Sequence, residues 1–384
     1  MLHTNKTNRR IILVYIIALT VGFSYGMHNP IVPIFSKDLG ASYFDLGIIG
    51  FSNFIPYMFI PVFVGVLLDR FNNGFLLSIG LVLDAASIYL LSVANSVPQV
   101  IIFRILVGIA HSFFWPPCES IISESSNPEN RVKSISRFMA FFVVGIMIGP
   151  LVGSFLLQNL DVTYKIIFQI AAFSIATALV SSLILSRKKQ SSHGTVLSIG
   201  TTKQLLKFPS VVVILLFSSA AFGVFLTILP AYMYDKSISE SNIELLFFVF
   251  GASRLGFLLL SNFLVKRLLP SLVLVTLSIA FGMLLLFYSG TMEQFSVAAL
   301  ILGFGFSVYF PLTFEIIMRK TRENVGALIG AYEATFGIGW ALGPLIAGIM
   351  ANLFGNGIPY LILCVLGFFV SGFVLFRKKE ALIV

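Results

Sequence analysis

The sequence predicts an all-α integral membrane protein, with twelve transmembrane helices arranged as two parallel six-helix repeats. Composition is the first reason. Of 384 residues, 58% are hydrophobic and only 11% charged, with 40 phenylalanines, whereas soluble domains average about 45 to 50% apolar. The second reason is length: a span needs about 20 apolar residues, and breaking the chain at Gly, Pro and charge clusters yields twelve of them. The third is an internal repeat. The 25 residues from Glu129 to Gly153, ENRVKSISRFMAFFVVGIMIGPLVG, recur without a gap as ENVGALIGAYEATFGIGWALGPLIA from Glu323 to Ala347, with nine positions identical. Gly145, Gly149 and Pro150 match Gly339, Gly343 and Pro344, where chance similarity of apolar text would pair Leu, Ile and Val. Upstream, GIAHSFFWPPCESII from Gly108 reads against GFGFSVYFPLTFEII from Gly303.

The spans are expected near 11–35, 43–68, 75–95, 98–122, 136–158 and 163–185, then 210–233, 243–265, 270–292, 294–318, 326–352 and 357–376. The first follows Lys6, Arg9 and Arg10, but it is too long for a signal peptide and has no small-residue cleavage site, so it reads as an uncleaved helix. Residues 187–208, a polar and basic stretch, read as a cytoplasmic linker between an N-terminal half, 1–186, and a C-terminal half, 209–384. An even number of spans in each half gives both copies the same orientation, related by an axis along the bilayer normal.

Charge supports the topology. Of the 25 Lys and Arg residues, only Lys37, Lys165 and Lys236 fall on the side opposite the termini, and Arg104 and Arg254 lie inside spans. The other twenty flank the termini side, so the positive-inside rule makes both termini cytoplasmic in a cell membrane. The net charge of +9 thus reports topology, and no nucleic acid partner is expected. Cys118 and Cys364 sit in apolar runs, which excludes a disulfide framework and offers no metal spacing. No phosphate-cradling GxxxxGK[ST] run occurs, so no ATP motor and no cofactor are expected. Four histidines, two of them outside the spans, form no recognisable catalytic or metal set, so no enzyme is expected.

The stretch GVLLDRFNNG, Gly65 to Gly74, resembles the loop between helices 2 and 3 of the major facilitator superfamily, which carries a GxLxDRxGRR-like motif. Asn72, Asn73 and Gly74 depart from it, standing where the family usually has Gly and two basic residues. The resemblance implies a latch on the cytoplasmic side, with Gly65 allowing close helix approach and Asp69 and Arg70 pairing with charges or a helix terminus. Glu119 and Glu315, near cytoplasmic helix ends, are assigned to the same gate. Arg104 and Gly108 match the RxxxG core of the family's helix 4 motif, and Gly145, Gly149, Pro150 and Gly153 look like the helix 5 motif associated with antiporters. The segment NPIVPIFSKDLGAS from Asn29 is similar to helix 1 of drug:proton antiporters. Gly145, Gly149 and Gly153, echoed by Gly339, Gly343 and Ala347, form a smooth strip for close helix packing, bent at Pro150.

Residues of the substrate and proton pathway follow from the cost of polar groups in lipid. Arg104, Gly108, His111, Trp115 and Cys118 are spaced 4, 3, 4 and 3 and so line one face of helix 4. An Arg at a span centre costs about 2.5 to 3.5 kcal/mol on insertion scales, so Arg104 should face a partner or a watery cavity. Asp84 in helix 3 is the candidate partner of Arg104 or His111, and its protonation would release Arg104. A purely structural ion pair is the competing reading. In the second half, Arg254 and Glu333 could neutralise each other, and Phe336 and Trp340 follow Glu333 at helical spacing, offering aromatic surface to an organic cation or serving as packing. His28 and Asn29 precede Pro30 and Pro33, where a broken helix frees backbone carbonyls. Glu333 and Trp340 replace Met139 and Ile146 of the first copy, so a symmetric scaffold carries asymmetric chemistry.

The expectation is a monomeric secondary transporter in the lipid bilayer, alternating access by rocking two halves, with a small-molecule solute and protons as partners. Proton-coupled efflux of hydrophobic or drug-like solutes is preferred. Uptake or facilitated diffusion of a small metabolite or organic anion, held by Arg104 and Arg254, is the alternative. A transport-inactive membrane sensor or scaffold is the alternative of another class.

Overall fold

A computed structural model describes residues 2–68, 70–126, 128–186, 205–259, 263–264, 266–320 and 325–377. Among the described residues all regular structure is helical, and twelve helical stretches are long and apolar enough to cross a membrane. In chain order the helices are α1 Leu2–His28, α2 Ile31–Asp38, α3 Tyr43–Leu68, α4 Asn73–Ser92, α5 Val97–Ser112, α6 Trp115–Ser125, α7 Pro128–Asn159 and α8 Tyr164–Ser186. They continue as α9 Pro209–Thr227, α10 Leu229–Asp235, α11 Glu240–Leu259, α12 Leu268–Tyr288, α13 Met292–Lys320, α14 Val325–Phe354 and α15 Ile358–Phe376. Two compact units emerge, Met1–Gly40 with Ser52–Gly194 and Ala41–Phe51 with Thr195–Val384.

Proline explains why there are more helices than spans. Pro30 has no N–H to donate and its ring crowds the preceding turn, so α1 stops at His28 and α2 resumes at Ile31 within one span, Arg9–Asp38. Pro116 and Pro117 do the same between α5 and α6, where Phe113 and Phe114 donate to Ala110 and His111 in tighter i to i−3 bonds. Pro230 separates α9 from α10. In contrast, α7 runs unbroken through Pro150 and α14 through Pro344.

The sequence repeat is also a packing repeat. In the first unit α7 lies against α1 at glycine contacts: a Cβ on Gly145 would meet Leu19 O and Phe23 N, one on Gly149 would meet Phe23 O and Met27 N, and Gly22 and Gly26 answer from α1. In the second unit α14 meets α9 in the same way, with Gly339 against Ser219 and Leu216 O and Gly343 against the Ala220 backbone. Small residues are what let helix backbones approach this closely in lipid. Gly108 against the Asn53 carbonyl is matched by Gly303 against Ser253 and Arg254. The Ser78–Ser182 hydroxyl pair at 2.8 Å, between α4 and α8, is matched by Thr276–Ser371 at 2.7 Å between α12 and α15. Phe63, Phe173, Phe369 and Phe376 point outward, as lipid-facing side chains do.

Candidate functional site

In the first unit the break after His28 and the face of α5 bring polar side chains together in the core. Arg104, only 1% exposed, donates from Nη2 to Asn29 Oδ1 at 2.9 Å. His111 Nε2 stands 4.0 Å from Asp84 Oδ2, at the limit of an ion pair and too long for a hydrogen bond. Asp84 is within coulombic range of Arg104 as well. His28 Nδ1 lies 2.6 Å from the Ser24 carbonyl, and since a carbonyl only accepts, Nδ1 carries the proton. The Tyr25 ring lies between the imidazoles, 5.9 Å from His28 and 5.1 Å from His111.

This network is half satisfied. Arg104 Nε and Nη1, Asn29 Nδ2, His28 Nε2 and Asp84 Oδ1 are buried without a hydrogen-bond partner. Each such group costs about 1–3 kcal/mol, so a set whose only task was to join helices would be expected to satisfy more of them. A set that changes partners during a conformational cycle has to leave some open. Asp84 thus stands nearer His111 than an ion pair with Arg104, and Arg104 takes Asn29, a pairing that spacing on separate helices does not disclose.

Trp115 requires a correction. The five-residue face expected from Arg104 to Cys118 is interrupted, because α5 ends at Ser112 and the prolines restart the helix at Trp115. Arg104, Gly108 and His111 remain on α5, whereas Trp115 joins an aromatic group, 4.8 Å from Phe142, 5.4 Å from Phe138 and 5.1 Å from Phe114. Cys118 is buried on α6.

In the second unit what faces Arg254 is aromatic, with its guanidinium 5.0 Å from the Phe222 ring and 5.6 Å from Phe250. Trp340 stacks on Phe222 at 5.7 Å and meets Phe336 edge-on at 4.9 Å. Tyr309, stacked on Phe336, is within coulombic range of both Arg254 and Glu333. The result is a cationic and aromatic surface with a carboxylate close by. Glu244, which composition and spacing did not single out, is fully buried on α11, with neither carboxylate oxygen hydrogen-bonded. Its signal is faint, since SISESNIE around it reads as the polar start of a helix.

Of the gate residues, Asp69 lies outside the described residues, and Arg70 and Glu119 are exposed. Among the described residues, a Cβ on Gly65 would meet nothing within 4 Å. The two asparagines beside it have other work. Asn72 caps α4, accepting from Gly74 N at 2.8 Å and Phe75 N at 3.3 Å. Asn73 Nδ2 donates to Ser120 Oγ at 2.9 Å and Glu124 Oε1 at 3.0 Å, tying α4 to the end of α6. Within the second unit, Tyr43 donates to Asp235 at 2.8 Å.

The family model described as Major Facilitator Superfamily matches residues 14–234 and 211–383. The chain belongs to this superfamily. It is therefore a multi-pass membrane transporter and not an enzyme. Among curated relatives, the quinolone resistance protein NorA of Staphylococcus aureus (strain COL) is 23% identical over 357 residues, covering 90% of this chain and 91% of NorA. Solved structures share the fold: the nucleoside transporter NupG has a TM-score of 0.78 at 14% identity, covering 96% of this chain and 99% of that one. A D-xylose-proton symporter gives 0.70 at 18% identity, covering 96% of each chain.

Proposed function

We propose that the chain exports hydrophobic or drug-like organic solutes in exchange for protons, by alternating access, with both termini in the cytoplasm and Asp84 as the carboxylate that takes up and releases the proton. The observation that carries this reading is Asp84 itself, a buried carboxylate with one oxygen unpartnered and the other 4.0 Å from His111. Protonated, it relaxes its hold on Arg104 and His111. Ionised, it attracts both, so proton binding and side-chain partnership are one event. The aromatic and cationic surface of Arg254, Phe222, Phe336 and Trp340 suits a flat organic solute, for which Trp and Phe faces provide stacking area. NorA is named a quinolone resistance protein, which supports solutes of that kind.

The competing reading, uptake of an organic anion, draws on Arg104, whose Nε and Nη1 are free to bind one. Inside-out membrane vesicles separate the two. Export predicts that acidifying the lumen drives a fluorescent aromatic cation inward and that each addition of solute releases protons from the lumen. Loss of a preloaded anion from the acid lumen together with protons, and no accumulation of the cation, would replace export by uptake.

A further inference from the structure

We propose that Glu244 is a second proton-binding site, carrying a neutral carboxylic acid in the conformation described. Glu244 is fully buried, and neither Oε1 nor Oε2 has a hydrogen-bond partner. It lies in the second turn of α11, flanked by buried Ile243, Leu246 and Phe247, the last of which packs on Phe225 at 5.3 Å. An ionised carboxylate without hydrogen bonds in such surroundings is far more costly than the neutral acid, so the group holds a proton. The positive end of the α11 dipole does not rescue the anion, because its influence falls off within the first turn and no backbone N–H reaches either oxygen.

No neighbour supplies a counter-charge. The elements packed on α11 are α13, α10 and, through Phe222 and Phe225, α9, which carries no ionisable side chain. The ionisable groups on α13 are Glu293, Tyr309, Glu315, Arg319 and Lys320, and those on α10 are Tyr232, Tyr234 and Asp235, followed by Lys236. Glu240 and Arg254 share α11 with Glu244. Tyr232 donates to the Phe287 carbonyl, Asp235 accepts from Tyr43, Lys236 sits 4.9 Å over the Tyr232 ring, and Arg254 faces Phe222 and Phe250. Among the described residues none pairs with Glu244. Its place one turn from the helix start, on the side opposite the termini, lets a modest opening of that end wet the carboxyl and release the proton.

This goes beyond proton coupling through Asp84 and does not depend on it, because protonation is read directly by infrared spectroscopy. The full chain in lipid nanodiscs at neutral pH should show a protonated-carboxyl C=O band with a component lost in Glu244→Gln and kept in Asp84→Asn. An unchanged band in Glu244→Gln overturns the proposal, whatever the transport assays give. Glu244→Leu checks the fold: a neutral site predicts a melting temperature no lower than wild type. Failure of both neutral variants to fold would mean that the charge itself holds α11 in place, which also overturns it.

Discussion

Replacing Gly149 by Ala puts a methyl group where α1 passes closest to α7. The new Cβ would stand 2.7 Å from Met27 N, with the Phe23 carbonyl oxygen nearer still. Carbon atoms pack comfortably at about 3.5–4.0 Å, so the helices have to part by roughly 1 Å over that turn. Overpacking of this kind costs about 1–3 kcal/mol, against which the better helix propensity of Ala returns about 0.5–1 kcal/mol. The difference spans about 0–2.5 kcal/mol, centred on a net loss of about 1 kcal/mol. Gly65→Ala is the internal control, because its Cβ meets nothing within 4 Å and only the propensity gain remains. Thermal unfolding of the purified protein, followed by tryptophan fluorescence, should rank Gly149→Ala below wild type and Gly65→Ala at or above it. Equal melting temperatures for Gly149→Ala and wild type would refute the close-packed seam.

Three further substitutions have defined outcomes. Arg104→Met should leave thermal stability unchanged or raised while abolishing transport, since it removes a buried charge whose one hydrogen bond among the described residues is to Asn29. A stability loss as large as that of Gly149→Ala would make the guanidinium structural. Trp340→Ala removes the indole, beside Phe222 and Phe336, on which a flat aromatic solute would stack; one such stack is worth about 0.5–1.5 kcal/mol, so KM for that solute should rise about 2- to 10-fold. Asn72→Ala should lower stability by about 0.5–2 kcal/mol through loss of the α4 cap, with Asn72→Asp retaining it.

Much of the fold was legible because lipid imposes simple rules. Apolar length marked the spans, and the identical Gly and Pro positions around Gly149 and Gly343 marked the duplication, which reappears as equivalent contacts of α7 on α1 and α14 on α9. The site was legible residue by residue but not pair by pair. Asn29 and Arg104 both stood out, yet 75 positions separate them, and only the break at Pro30 brings Asn29 to the guanidinium. Periodicity carried the helix 4 face straight through Phe113, where Pro116 and Pro117 end it. Asn73 stands where the related loops carry a basic residue, and only tertiary contact reveals its bonds to Ser120 and Glu124. Glu244 gives no sequence signal because a Glu near a helix start is ordinarily solvated, whereas the packing of α11 buries it.

Coupling through Asp84 is tested most directly by comparing two kinds of flux in proteoliposomes containing wild type or Asp84→Asn. A gradient of about one pH unit is worth about 1.4 kcal/mol, which supports at most about tenfold solute accumulation per proton exchanged. Wild type should accumulate solute against its gradient and also exchange labelled for unlabelled solute with no pH difference. Asp84→Asn should lose the accumulation and keep the exchange. Undiminished accumulation in Asp84→Asn would contradict coupling through this carboxylate.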